Sequence, residues 1–223
     1  MEHRLVIALW RPAALTDVSL RERLTQLGAT TLQVNVTDDD VADAGMRITS
    51  YPAPVDAFLS LTGAVDEDGL AALLDGIAGS WLGWRVESTE PIEPRRVPDG
   101  ERLDALANIA LLRKPAAQPY DEWRSVWQGD HTTVAIETQA TFGYVQNRVV
   151  GTLGDTESDV VAIVEEHFPM AAMTDPHAFY GSGGDDAELE RRMNRMFASI
   201  ARFGAGDGLD LVPTSRYLWR LVP

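Results

Sequence analysis

The sequence predicts an α+β protein made of two tandem ferredoxin-like βαββαβ units packed sheet to sheet as an α+β barrel. Three observations carry this. The element order βαββαβ can be read twice along the 223 residues. A proline-rich, charged stretch, TEPIEPRRVPDGER, divides the two copies and has no apolar periodicity; prolines favour an extended linker over a helix or a central strand. The strand VVAIVEEHF is apolar on both alternating faces, with Val160, Ala162 and Val164 on one and Val161 and Ile163 on the other. A βαββαβ unit puts both helices on one face of its sheet. The other face must therefore also be buried, and the second unit is the available cover. The predicted units are residues 1–90 and 103–223, with a linker over 91–102.

In the first unit, 5–10 reads as a strand and 19–27 as a helix with Leu20, Leu24 and Leu27 on one side. Residues 31–36 alternate as a strand does. After an acidic irregular insert, DDDVADAG, come a strand over 55–62, a helix over 66–78 opened by acids, and a strand over 81–87.

In the second unit, 105–113 (ALANIALLR) has a strand's length and composition, and 119–133 reads as a helix. Pro119 suits the first turn of that helix, and Asp121 and Glu122 complement its positive end. Residues 142–150 and 160–168 are strands rich in β-branched residues. The clearest helix spans 185–203: Leu189, Met193, Met196, Phe197 and Ile200 recur at helical spacing, and Gly204 follows as a natural terminator. A last strand covers 209–221.

Composition narrows the function classes. The formal net charge is −15, so the surface repels phosphate backbones and nucleic acid is not an expected partner. The chain has no cysteine, which excludes disulfides, thiolate catalysis, Cys-ligated zinc and iron–sulfur clusters. The apolar run LVIALW is too short for a signal peptide or a membrane span, so a soluble, cytoplasmic protein with no membrane partner is expected. No GxGxxG follows a strand and no GK[ST] occurs, so there is no nucleotide signature. Lys114 is the sole lysine, which weakens any Schiff-base chemistry.

The stretch YDEWRSVWQGDH places Trp123, Trp127 and His131 at spacings of four, hence on one helix face with Tyr120. Large aromatics at helical spacing pack in cores. His131 is the odd member: its ordinary pKa suits a general acid–base near neutral pH, though a helix-end histidine can also cap a last-turn carbonyl. Tyr144 could offer its phenol to a substrate oxygen or serve as a core ring; Asn147, three residues on, points to the opposite strand face. Glu165 and His167 share a face and Glu166 takes the other. One of these carboxylates could orient His131, or the strand end could have reached water. His167, His177 and Glu165 match no metal spacing, and no metal is expected. The connection FPMAAMTDPHAFYGSGG could form a lid over a pocket or cover the second helix.

The helix YDEWRSVWQGDH followed by the strand FGYVQN resembles the EthD-like family of the dimeric α/β-barrel superfamily. Trp123, Trp127, His131, Tyr144 and Asn147 match its aromatic, tryptophan, histidine and Tyr-x-x-Asn pattern, and Phe203 with Asp207 resembles its Phe-x-x-x-Asp ending. The resemblance covers about 103–222 and does not reach the first unit, whose only histidine is His3. It implies a barrel with a pocket between helices and sheet. Relatives in the superfamily include cofactor-independent monooxygenases, polyketide cyclases and lactone isomerases acting on small, often aromatic molecules. The expectation is a cofactor-independent enzyme for a small apolar or aromatic molecule, with His131 as acid/base and Trp127, Tyr144, Asn147, Glu165 and His167 binding substrate. The alternative is a non-catalytic ligand-binding or scaffolding barrel, and a homodimer is left open.

Overall fold

The computed structural model describes residues 4–13, 15–154 and 157–221. The first unit consists of β1 (Arg4–Trp10), α1 (Val18–Gln26), β2 (Ala29–Val36), β3 (Ala57–Gly63), α2 (Glu67–Ile77) and β4 (Ser80–Ile92). The second consists of β5 (Leu106–Arg113), α3 (Tyr120–Ser125), a π-helical segment (Val126–His131), α4 (Thr132–Thr138), β6 (Gly143–Thr152), β7 (Val160–Phe168), α5 (Pro176–Tyr180), α6 (Asp186–Phe203) and β8 (Asp210–Arg220). His3 and Val222 lie outside the described residues.

All strand pairs are antiparallel. Each unit pairs its strands with the first and third in the middle, and the two sheets join edge to edge through β2–β8 and β4–β6 into one closed barrel, β1-β3-β2-β8-β5-β7-β6-β4. β4 is longer than the sequence pattern indicates. It runs to Ile92, into the proline-rich stretch, because its second half pairs with β6 and so gains partners that no local signal announces.

Side chains from each strand serve two cores. Outside the barrel, Leu24 of α1 and Leu74 of α2 pack on leucines of the first unit's sheet, among them Leu5, Leu32 and Leu59. Helices of the second unit bring Trp123, Trp127 and Phe203 against Tyr144 and Phe168 of its sheet. Inside, Val6, Phe58, Trp84, Ile109, Ile163 and Val212 fill the lumen. From Ala162 on, β7 alternates as expected, with Ala162 and Val164 facing the helices and Ile163 the lumen; at its start a register irregularity against β5 reverses the assignment, placing Val160 in the lumen with Ile163 and Val161 against the helices.

Further along the same strands the lumen turns polar. Ile163 gives way to Glu165 and His167, Val212 to Thr214 and Arg216, and Val6 to Arg4. Gln33 Nε2 donates to Glu165 Oε2 at 2.8 Å and to Asn35 Oδ1 at 2.7 Å. Arg4 and Arg216 both donate to Gln33 Oε1 at 2.9 Å, and Arg216 Nε lies 3.0 Å from Glu165 Oε1. Gly143 pairs with His167 across the β6–β7 ladder, and a Cβ there would collide with the imidazole.

Candidate active site

A cleft of about 190 Å3 opens between the helices of the second unit and the outer face of its sheet. The sheet contributes Asn108 and Ala110 from β5, Tyr144 from β6 and Val164 and Glu166 from β7; the helices contribute Trp127, His131, Met196 and Phe203. The first unit adds a flap. In the segment between β2 and β3, Ile48 pairs with Leu211, Gly45 N–H donates to Met173 O at 2.9 Å, and Ser50 N–H donates to Asp210 Oδ1 at 2.6 Å. This brings Met46 and Ile48 to the mouth, where they and Phe197 are exposed at 44%, 40% and 53%.

The helix wall depends on an irregularity. Trp123 and Trp127 are fully buried with ring centroids 5.1 Å apart, and Phe203 packs 4.6 Å from the His131 ring. Over Val126–His131 the chain widens to a π-helical turn, which displaces the carbonyls of the preceding turn from their usual partners. The Thr132 hydroxyl bonds to two of them, Gln128 O at 2.9 Å and Trp127 O at 3.2 Å. Gln146 Nε2 then donates to Thr132 Oγ1 at 2.8 Å and to the Tyr144 hydroxyl at 3.2 Å. The histidine-bearing turn is so tied to the strand that carries the phenol.

The electrostatics of the site are set by burial. Burial lowers the His131 pKa from 6.5 to about 4, leaving a neutral imidazole at physiological pH. Its Nδ1 lies 2.9 Å from Ser199 Oγ on α6, so its partner is a hydroxyl and not a carboxylate. Burial raises Glu166 from 4.5 to about 7, and its Oε1 is shut off from solvent without a partner. Tyr144, the cross-strand neighbour of Glu166, is pushed above the usual phenol range by burial and then by that carboxylate, and Tyr180 is shifted the same way.

The predicted residues divide between two compartments. Trp127, His131 and Tyr144 line the cleft together. Asn147, Glu165 and His167 face the barrel lumen and are not brought to it: Ser88 Oγ donates to Asn147 Oδ1 at 2.6 Å, and His167 Nε2 lies 2.8 Å from Glu165 Oε1. Burial alone would raise the Glu165 pKa, but the His167 hydrogen bond and the charges of Arg216 and Arg4 hold it well below the carboxylate range. His177 lies on α5, with Nε2 3.3 Å from Asp186 Oδ1. No cluster of three His, Cys, Asp or Glu side chains among the described residues is placed to hold a metal ion. No described helix is long and apolar enough to cross a membrane.

Sequence reasoning set Glu166 apart by face without giving it a place in the site, and it passed over Asn108 and Gln139. All three line the cleft with a buried oxygen lacking a partner. Asn108 had a legible signal, as the one polar residue within the apolar run ALANIALL. Gln139, just past α4, had none, because its position depends on how the helix returns to the sheet.

No family model and no curated protein matches this sequence. Among solved structures, an anthrone oxidase-like protein superposes with a TM-score of 0.55 at 9% identity, over 97% of this chain and 91% of that one. A provisionally assigned monooxygenase from Lactobacillus acidophilus NCFM gives 0.47 at 8% identity, over 99% and 96%. A mutant chlorite dismutase of Candidatus Nitrospira defluvii, in complex with cyanide, gives 0.49 at 11%, over 96% and 90%. At such identities the likeness is one of fold, and by fold this chain is an α/β barrel of two ferredoxin-like units.

Proposed function

We propose that the cleft is the active site of a cofactor-independent enzyme of the oxidase or monooxygenase type, EthD-like in its second unit, acting on a small apolar or aromatic molecule with His131 as its acid–base group. One observation carries this reading: a neutral imidazole and a carboxyl that burial keeps protonated up to about pH 7, one of its oxygens unpartnered, share the wall of one largely apolar cavity. Paired titratable groups with strongly shifted pKa values mark sites of proton transfer more often than sites of packing.

With Nδ1–H donating to Ser199 Oγ, Nε2 is left with a free lone pair to take a proton from an acidic C–H or O–H of the substrate. The resulting anion sits in a low dielectric and is electron-rich enough to react with dioxygen directly. Glu166, protonated below about pH 7, can then donate a hydrogen bond to a substrate oxygen, with the Tyr144 phenol beside it. Trp127 supplies an apolar wall. Asn147, Glu165 and His167 stay out of substrate contact and hold the barrel. The anthrone oxidase-like neighbour, which shares the fold, bears a name of this kind.

The second reading is a ligand-holding barrel without turnover. The Ser199 hydrogen bond and the Phe203 contact favour it, since both would hold His131 as a packing residue. Oxygen-electrode traces with 1,8-dihydroxyanthrone, beside a binding titration of the same compound, separate the two. Oxygen uptake is expected for the unmodified chain, and His131→Ala should lower it by roughly 10²–10⁴-fold, the usual worth of a general base. Binding without uptake in the unmodified chain would support the non-catalytic barrel.

A further inference from the structure

Beside the cleft lies a second chamber of about 300 Å3, and the two share Met46, Asn108, Phe179, Tyr180 and Phe197 as common wall. The contents of their remaining walls differ. Glu166 and Gln139, each with a buried oxygen lacking a partner, and His131 line the cleft alone. Leu106, Ala172, Met173 and Met193 line the chamber alone. Asn108, which is buried and has an unpartnered Oδ1, stands between them.

A buried polar atom without a partner is costly unless a ligand or water completes it, and three residues that carry such an oxygen line the cleft. They call for a molecule with hydroxyl or N–H donors at that end. Apart from Thr174 and the shared Asn108 and Tyr180, the chamber's side chains are apolar, and its methionines can repack around varied shapes. The exposed side chains at the mouth, Met46 and Phe197, belong to both cavities, so one ligand covering both would also bury the rim.

We propose that cleft and chamber together take one extended ligand: a hydroxylated aromatic whose hydroxyl sits at the end lined by Glu166, Gln139 and Asn108 and donates to one of their unpartnered oxygens, with an apolar arm lying among Met173, Met193 and Leu106. This rests on the cleft being the ligand site but not on any turnover there. Ala172, Met173 and Met193 then determine the length of arm that is accepted.

Isothermal titration with 2-naphthol, 6-hexyl-2-naphthol and 2-hexylnaphthalene tests it. In the unmodified chain 6-hexyl-2-naphthol should bind at least about tenfold tighter than either of the others, since it alone satisfies both ends. Ala172→Leu and Met193→Trp, which fill the chamber from two different elements, should each abolish the gain from the hexyl arm and leave 2-naphthol affinity unchanged. Glu166→Leu should remove most of the advantage of the hydroxyl while keeping that of the arm. Melting curves identify any variant that has lost its fold, and the comparison of probes on the unmodified chain needs no variant. Equal affinity for 2-naphthol and its hexyl derivative, or a hexyl gain that survives chamber filling, would overturn the extended site and leave the cleft standing. Failure of all three probes to bind would overturn the cleft as a ligand site, and the extended ligand with it.

Discussion

Glu166 and His131 are two buried groups whose pKa shifts run in opposite directions, and this makes them separable by pH. The Glu166 pKa rises on folding from 4.5 to about 7. Between these values the unfolded chain has released a proton that the folded chain keeps, so stability falls as pH rises through the window and levels off above it. The His131 pKa falls from 6.5 to about 4, so the unfolded chain takes up a proton first and stability falls as pH drops through that window. The slopes oppose one another between about pH 4.5 and 6.5 and nearly cancel in the unmodified protein. Each shift corresponds to about 3 kcal/mol. Urea unfolding at a series of pH values should show the stability of Glu166→Gln, relative to the unmodified chain, improving by up to about 3 kcal/mol from pH 4.5 to 7.5. For His131→Gln the relative stability should improve by a similar amount from pH 7 down to 4. A difference that does not vary with pH would mean that these groups titrate alike in both states.

The element that shapes the site is the interrupted helix α3–π–α4. Its amphipathic spacing was legible, since Trp123, Trp127 and His131 recur every four residues, but the π turn was not. Nothing local in VWQGDH favours a wider turn; it is held where Trp123 packs on Phe203, the Thr132 hydroxyl satisfies the displaced carbonyls and Gln146 ties that hydroxyl to β6. Trp127 is fully buried against the sheet and the neighbouring indole. Trp127→Ala should therefore cost about 3–5 kcal/mol by urea denaturation, the usual loss for a large buried aromatic. A loss below about 1 kcal/mol would show that the cleft collapses to fill the gap. The opposite placement of Tyr144 and Asn147 was legible, because strand alternation fixes it. That Asn147 and the pair Glu165 and His167 face the lumen was not, since alternation says which residues share a face and not which face meets the helices.

The whole molecule is held by joints between the units. Gln33 on β2 reaches Glu165 on β7, which also meets Arg216 and His167. Glu165 offsets the charges of the buried Arg216 and the half-buried Arg4, so removing its charge alone leaves Arg216 without its carboxylate partner. Glu165→Gln should lower stability by about 3–5 kcal/mol, whereas an exposed ion pair such as Arg96–Glu93 contributes little. Equal, small losses on breaking both pairs would show that water reaches the lumen. Because the barrel closes on itself, each sheet edge is already paired, and any second copy has to meet the helices or loops. Units 1–102 and 103–223 expressed apart are expected to aggregate or to reassociate when mixed, since each exposes two unpaired edges and a bare sheet face; two separately folded, monomeric halves would contradict this and would favour independent domains.

The sequence by itself determined the order of elements, the two-fold repeat, the need to bury both faces of β7 and the aromatic stripe that marks the second unit. These are consequences of periodicity, and periodicity is local: 2 and 3.6 residues are distances along the chain. The tertiary structure alone decided which face of each strand became lumen and which became cleft. It alone ran β4 on to Ile92, opened the π turn and brought Met46 and Ile48 of the first unit over the site of the second. It also put Glu166 in one cleft with His131. Each of these depends on a partner far along the chain, and a neighbour's residue type carries no information about which distant atom will stand against it.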